Sequence, residues 1–121
     1  MDLLREPRFL AAKALDETVE VDFTSPILVS IDRREFRSAG PEQRRKLREY
    51  ARRLPHEPSL GERVRSRQIP QVFRDLPNLY RLELPDGWRA LYSVVTHPDE
   101  GREVKIVWVG NHARYDRLFG Y

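Results

Sequence analysis

The residues best suited to chemistry fall in the last third of the chain. Arg81 and Arg89 stand on two successive strand-like segments, and His112, Arg114, Tyr115 and Tyr121 follow a third. Metal-independent cleavage of RNA, by attack of a ribose 2′-hydroxyl on the neighbouring phosphate, needs such a set. A base takes the hydroxyl proton, an acid gives a proton to the leaving 5′-oxygen, and fixed positive charge stabilises the phosphorane. Histidine as a residue type titrates near neutral pH, and arginine's planar fork matches phosphate oxygens. The ordinary alternative stays open on residue types alone: arginines on a sheet face commonly pair with acids, and late tyrosines commonly pack on a core.

Other chemistries find little support. The chain has no cysteine, which removes disulfides, thiolate zinc sites and thiol nucleophiles. It holds no HExxH, GxSxG, GxGxxG or Walker pattern, so metalloprotease, serine hydrolase, dinucleotide and P-loop readings have no basis. His56 and His97 adjoin prolines in expected loops and read as plain surface residues. No metal and no cofactor is expected.

The elements that must position the late cluster follow from patterning. Asn78–Leu84 and Trp88–Val95 read as strands joined by an Asp86-Gly87 turn, and Glu103–Val109 as a third, giving an antiparallel meander. Alternation puts Tyr80, Leu82, Leu84, Trp88, Ala90, Tyr92 and Val94 on one apolar face, and burial of Trp88 and Trp108 is expected from the same parity. The opposite face is mixed, with Arg81 and Arg89. Upstream, Pro26–Asp32 reads as a buried strand, and Asp32 is placed to cap a short helix over Arg33–Ser38. A helix from Pro41 to about Leu54 aligns Leu47, Tyr50, Ala51 and Leu54 in one stripe. Its other faces carry Arg44, Arg45 and Arg48, a phosphate surface or simply a solvated helix face. The connection over 55–77 is irregular, with capping-box spacing at Ser59–Glu62 suggesting a helical turn through Val64, and with Arg65, Arg67 and Arg74 exposed to partners.

Length bounds the rest. At 121 residues, 40% hydrophobic and 34% charged, the chain reads as one small domain with a heavily charged surface. Residues 1–25 hold three bases against six acids, net −3, so the overall +3 leaves +6 on residues 26–121. The first 25 residues therefore read as an acidic extension, with a helical patch over Phe9–Leu15 and a possible strand face of Val19, Val21 and Phe23. Only three of the 22 basic residues are lysines, a bias that suits phosphate binding and equally suits codon usage or thermal adaptation. The start lacks the order of a signal peptide, and no apolar run approaches the ~20 residues of a membrane span. A reducing cytoplasm, without membrane association, is the expected compartment.

Three segments together resemble the RelE/ParE toxin superfamily: Leu76-Pro-Asn-Leu-Tyr-Arg-Leu-Glu-Leu84, Gly87-Trp-Arg-Ala-Leu-Tyr-Ser-Val94 and Trp108-Val-Gly-Asn-His-Ala-Arg-Tyr-Asp116. The last is similar to the Gly-x-His-x-x-Tyr-Asp ending of HigB-type members. The resemblance covers residues 26–121 and implies an α+β fold, with an N-terminal strand and helices packed on an antiparallel sheet that ends in the meander and a short tail. It implies a type II toxin acting as an mRNA endoribonuclease, on ribosome-bound message, neutralised by an acidic antitoxin. Arg81 and Arg89 then hold the scissile phosphate, His112 is acid or base, and Tyr115 positions the ribose or base. Arg44, Arg45, Arg48, Arg65, Arg67, Arg74 and Arg114 are the expected wider RNA contacts. Glu83 stands where a lysine is common in the family, free to pair with Arg81 or Arg89 or to serve as a base. A ParE-like toxin that inhibits DNA gyrase without chemistry, and a degenerate toxin-like binding module, are the alternatives.

Overall fold

Asp32 fixes where the first well-defined strand ends. Its Oδ1 accepts the backbone N–H groups of Arg34 at 2.9 Å and Glu35 at 3.3 Å, satisfying donors that a helix start leaves unpaired. In the computed structural model, which describes residues 9–11, 27–98 and 101–121, strand β2 (Leu28–Asp32) therefore passes directly into helix α1 (Arg33–Ser38). Gly40 and Pro41 break the chain and start helix α2 (Pro41–Arg53), with proline in the first turn as expected. Leu47, Ala51 and Leu54 are buried, and the half-buried Tyr50 donates its hydroxyl to the Glu83 carbonyl at 2.8 Å.

Among the described residues, β1 (Phe9–Ala11), β2, β3 (Glu62–Arg63), β4 (Tyr80–Glu83), β5 (Arg89–His97) and β6 (Gly101–Gly110) form one mixed sheet. Their order across it is β1-β2-β6-β5-β4-β3. The meander β4-β5-β6 is antiparallel as its sequence predicts. Its hairpin turn places Asp86 at φ 60° and Gly87 at φ 75°, and Trp88 N–H donates to the Pro85 carbonyl at 3.3 Å. Left-handed conformations at both central residues match the twist of the flanking strands, and Asp-Gly adopts them readily. The sheet is not wholly antiparallel, however, because β2 pairs in parallel with β6. Helices α1 and α2 carry the chain from β2 towards the far edge of the sheet, and β3 to β6 then alternate back, so β6 reaches β2 running the same way.

Both faces of the sheet are covered. Helix α2 packs on Leu82, Ala90, Tyr92, Val104, Ile106 and Val109. A second core on the opposite face joins Leu79, Leu91, Val107, Trp108 and Tyr115 to Phe73 and Leu76 of the connecting segment. A bulge in β6 turns Trp108 to the second core: Leu91 faces Trp108 while Tyr92 faces Ile106, leaving Val107 as an extra residue. This overturns the uninterrupted parity expected for β6. Trp108 is buried opposite α2, whereas Trp88 is half-buried on the α2 side.

Three local expectations change. Glu62 and Arg63 pair with Arg81 and Tyr80 as a strand, not as a helical turn, because an edge of β4 is open to them. Gly61 allows the approach, since a Cβ there would lie 2.7 Å from the Arg81 carbonyl oxygen. The segment after Gly110 is the eight-residue helix α3 (His112–Phe119), not an irregular tail; Asn111 Oδ1 caps the Arg114 N–H at 2.9 Å, and Gly120 ends it at φ 78°. Phe9–Ala11 is an edge strand on β2 and not part of a helix. The strand face expected at Val19, Val21 and Phe23 lies outside the described residues. Among the described residues, no helix is long and apolar enough to cross a membrane.

Tyr92 ties the connecting segment to the sheet by donating to the Pro58 carbonyl and accepting from Gly61 N–H, each at 2.8 Å. Burial pushes its hydroxyl up to about 12, although the Gly61 bond opposes the shift. The raised native value means that stability is fully present below pH ~10 and is lost as pH rises towards 12, where the unfolded tyrosine ionises first. Chemical denaturation should therefore show the wild type losing on the order of 2 kcal/mol more than Tyr92→Phe between pH 10 and 12. Parallel pH profiles for the two proteins would contradict this.

Candidate functional site

Register places the late arginines. Glu83 lies directly opposite Arg89, and Arg81 opposite Leu91, so all four side chains share the face away from α2. Glu83 consequently sits between the two guanidinium groups, 3.0 Å from Arg89 Nη1 and 3.5 Å from Arg81 Nε. It pairs with both arginines at once. Arg89 Nη1 also donates to the Gly87 carbonyl at 2.9 Å and the Trp88 carbonyl at 3.2 Å, which anchors it to the hairpin turn.

Helix α3 brings Tyr115 beneath the pair. Tyr115 is only 6% exposed, and its ring lies 5.9 Å from the Arg81 guanidinium carbon and 5.7 Å from that of Arg89. Arg81 Nη1 donates to the Tyr115 hydroxyl at 3.2 Å, while Nη2 pairs with Glu62. Burial works against charge on Arg81, but the Tyr115 hydroxyl and the Glu62 carboxylate outweigh it and hold its pKa above the ordinary value. A buried ring flanked by two cations is a stiff support, with each contact contributing about 0.5–2 kcal/mol. Tyr115 thus orients arginines; it does not present a free hydroxyl.

His112 occupies the first turn of α3, exposed, with Nε2 3.2 Å from Asp116 Oδ2 one turn later. A Cβ on Gly87 would lie 3.9 Å from His112 Cβ, which puts the histidine beside the turn that anchors Arg89. The expected catalytic residues Arg81, Arg89, His112 and Tyr115 therefore occupy one side of the molecule. Beside Arg81, Tyr115 floors an open recess of about 60 Å³ whose walls include Glu62, Gln68, Phe119 and Tyr121.

The wider arginines divide. Arg65, Arg67 and Arg74 are exposed on the connecting segment that covers the same sheet face. Arg114 serves the scaffold in part, donating to the Val109 carbonyl at 3.0 Å and lying 5.2 Å from the Trp108 ring. Arg44, Arg45 and Arg48 ride on α2, across the sheet from Arg81 and Arg89, so they do not extend this site. Arg44 donates to the Ala39 carbonyl at 2.6 Å, and Arg48 lies over Phe36 at 5.6 Å. His97 is no plain surface residue either: it bonds Glu103 at 2.8 Å, beside Lys105 and Ser30. Burial opposes ionisation of Glu103, yet the Ser30, His97 and Lys105 contacts hold its pKa below the ordinary value.

Sequence reasoning missed Glu62, Gln68 and Phe119. Glu62 carried a helix-start signal that the open edge of β4 overrode, and Phe119 becomes visible only once α3 is recognised as a helix, four residues after Tyr115. Comparison of the chain with family models, curated proteins and solved structures found no match.

Removing the carboxylate shared by two guanidinium groups should free positive charge for an anion. Fluorescence anisotropy at low salt should show Glu83→Gln binding a single-stranded RNA 20-mer roughly 3–10-fold more tightly than wild type, with a steeper salt dependence. Unchanged affinity would place RNA elsewhere.

Proposed function

We propose that this chain is a RelE/ParE-like toxin of a type II toxin–antitoxin system, acting as a metal-independent mRNA endoribonuclease. The observation that carries this reading is the placing of Arg81 and Arg89 on one face around the ring of Tyr115, with His112 at the adjoining turn. Such a pair of cations, stiffened from below, suits a phosphate whose negative charge grows during attack. The ribose 2′-oxygen attacks phosphorus as a base removes its proton; the bond to the 5′-oxygen breaks, that oxygen gains a proton, and a 2′,3′-cyclic phosphate remains. His112 supplies one of these proton transfers. Arg81 and Arg89 hold the non-bridging oxygens, and Glu83 either yields its place to the phosphate or takes the second proton. Exposed Arg65, Arg67 and Arg74 extend the phosphate track along the same face. Message on the ribosome is the proposed substrate, and an acidic antitoxin the proposed partner.

One observation favours a second reading. Both arginines already have carboxylate partners in Glu62 and Glu83, an arrangement that suits a non-catalytic, ParE-like inhibitor of gyrase or a degenerate binding module.

The two readings separate on mutation. In the first, His112→Ala lowers RNA cleavage by about 10²–10⁴-fold with little change in thermal stability, the usual size of a general acid–base contribution. Arg89→Ala is at least as damaging. Mapping the 5′ ends of cellular mRNA after expression of each variant checks both. Growth arrest by the wild type with no new RNA ends would move the case to the binding module.

A further inference from the structure

The recess beside Arg81 has a composition that phosphate binding alone does not call for. Phe119 and Tyr121 stack with ring centres 6.0 Å apart and planes at 20°, and Tyr115 lies 4.5 Å from Phe119. Tyr121 is 74% exposed, a large aromatic surface turned to solvent at the mouth of the recess. Planar rings of this kind offer a stacking platform to any nucleobase. An aromatic cage for a cation is the other use of such rings, but the charged residues lining the recess are Glu62 against Arg63 and Arg81, a net positive set that repels cations. A base carrying its own phosphate suits both the rings and that charge.

We propose that this recess is a guanine-binding subsite, in which the base stacks on Tyr121 and Phe119 and its Watson–Crick edge meets Glu62 and Gln68. The proposal rests on reading the Arg81–Arg89 face as an RNA surface and assigns that surface a base preference. Glu62 pairs with Arg81 through Oε2, which leaves Oε1 outside that pair, and 70% of its side chain is exposed. A carboxylate only accepts hydrogen bonds. Guanine alone offers it two adjacent donors, N1–H and the 2-amino group, while its O6 accepts from an amide or guanidinium such as Gln68 or Arg63. Adenine would set its N1 lone pair against the carboxylate. Uracil presents one N–H between two carbonyl oxygens, and cytosine an amino group beside a lone pair. Pairing with Arg81 also fixes the carboxylate, so the residue that orients the phosphate-holding arginine reads the base.

The test uses the full chain and the four 3′-nucleoside monophosphates, followed by the amide NMR shifts of Val64, Gln68, Phe119 and Tyr121. The expected result is binding of 3′-GMP about tenfold tighter than 3′-AMP, falling to within roughly twofold in Glu62→Gln, where an amide donor opposes the guanine donors. Tyr121→Ala, at an exposed position, should weaken all four nucleotides by about tenfold through lost stacking while the preference remains. Equal binding of the four, shifts confined to other residues, or an intact guanine preference in Glu62→Gln would each overturn the subsite. Cleavage is scored separately with the wild-type chain. Cutting with no guanine enrichment at the cut sites, together with equal nucleotide binding, removes the subsite and leaves the endoribonuclease; guanine preference without cutting of any RNA does the reverse.

Discussion

One extra residue in β6 governs the arrangement of the candidate site. If β6 alternated without interruption, Trp108 would share the α2 side with Val104 and Ile106. Because Val107 and Trp108 both oppose Leu91, the two following positions exchange faces, and Val109 returns to the α2 core. The displaced indole becomes the centre of a second core. Tyr115 packs on it with ring centres 6.1 Å apart, and through Tyr115 the whole of α3 is held against the face that carries Arg81 and Arg89. Gly110 belongs to the same constraint, since a Cβ there would come within 2.5 Å of the Trp108 indole. Bulges commonly re-aim side chains beside functional sites, and this one aims a helix.

Charge organises what packing assembles. Arg81 and Arg89 are close enough to repel, and they coexist because Glu83 lies between them and Glu62 takes the far side of Arg81. With two cations matched by two carboxylates, the resting site is close to neutral while the surrounding connecting segment, with Arg65, Arg67 and Arg74, is basic. Under the proposed function, a polyanion would be drawn by the surroundings and would compete with Glu83 at the centre. Competition of that kind would discriminate against simple anions, which lack the neighbouring phosphates needed to engage the outer arginines.

The meander, its Asp86-Gly87 turn, the Asp32 cap and the apolar stripe of α2 were legible because each depends on local periodicity or on turn chemistry that a few residues dictate. The bulge was not, since it leaves the composition of β6 unchanged and arises only when β5 and β6 are in register. For the same reason the burial expected of Trp108 is met on the opposite face, in a second core that periodicity does not show. The site was legible by residue type, in that Arg81, Arg89, His112 and Tyr115 do gather on one side. Their pairing was not: Glu62 reads as part of a helix start until β4 offers it an edge, and Tyr115 reads as a contact for the ribose or base until α3 buries it beneath the arginines. The arginines of α2 mislead in the opposite way, because sequence shows their number and not the sheet standing between them and the site.

That Arg81 and Arg89 act on one phosphate is the central claim, and a double-mutant cycle on binding tests it most directly. Calorimetry with a cleavage-resistant 2′-O-methyl RNA would compare wild type, Arg81→Ala, Arg89→Ala and the double variant. Two groups gripping the same phosphate should be coupled by about 0.5–3 kcal/mol, so that the double variant loses less than the sum of the single losses. Strict additivity, within about 0.3–0.5 kcal/mol, would mean that the two arginines touch different parts of the ligand or none, and would contradict a shared phosphate site.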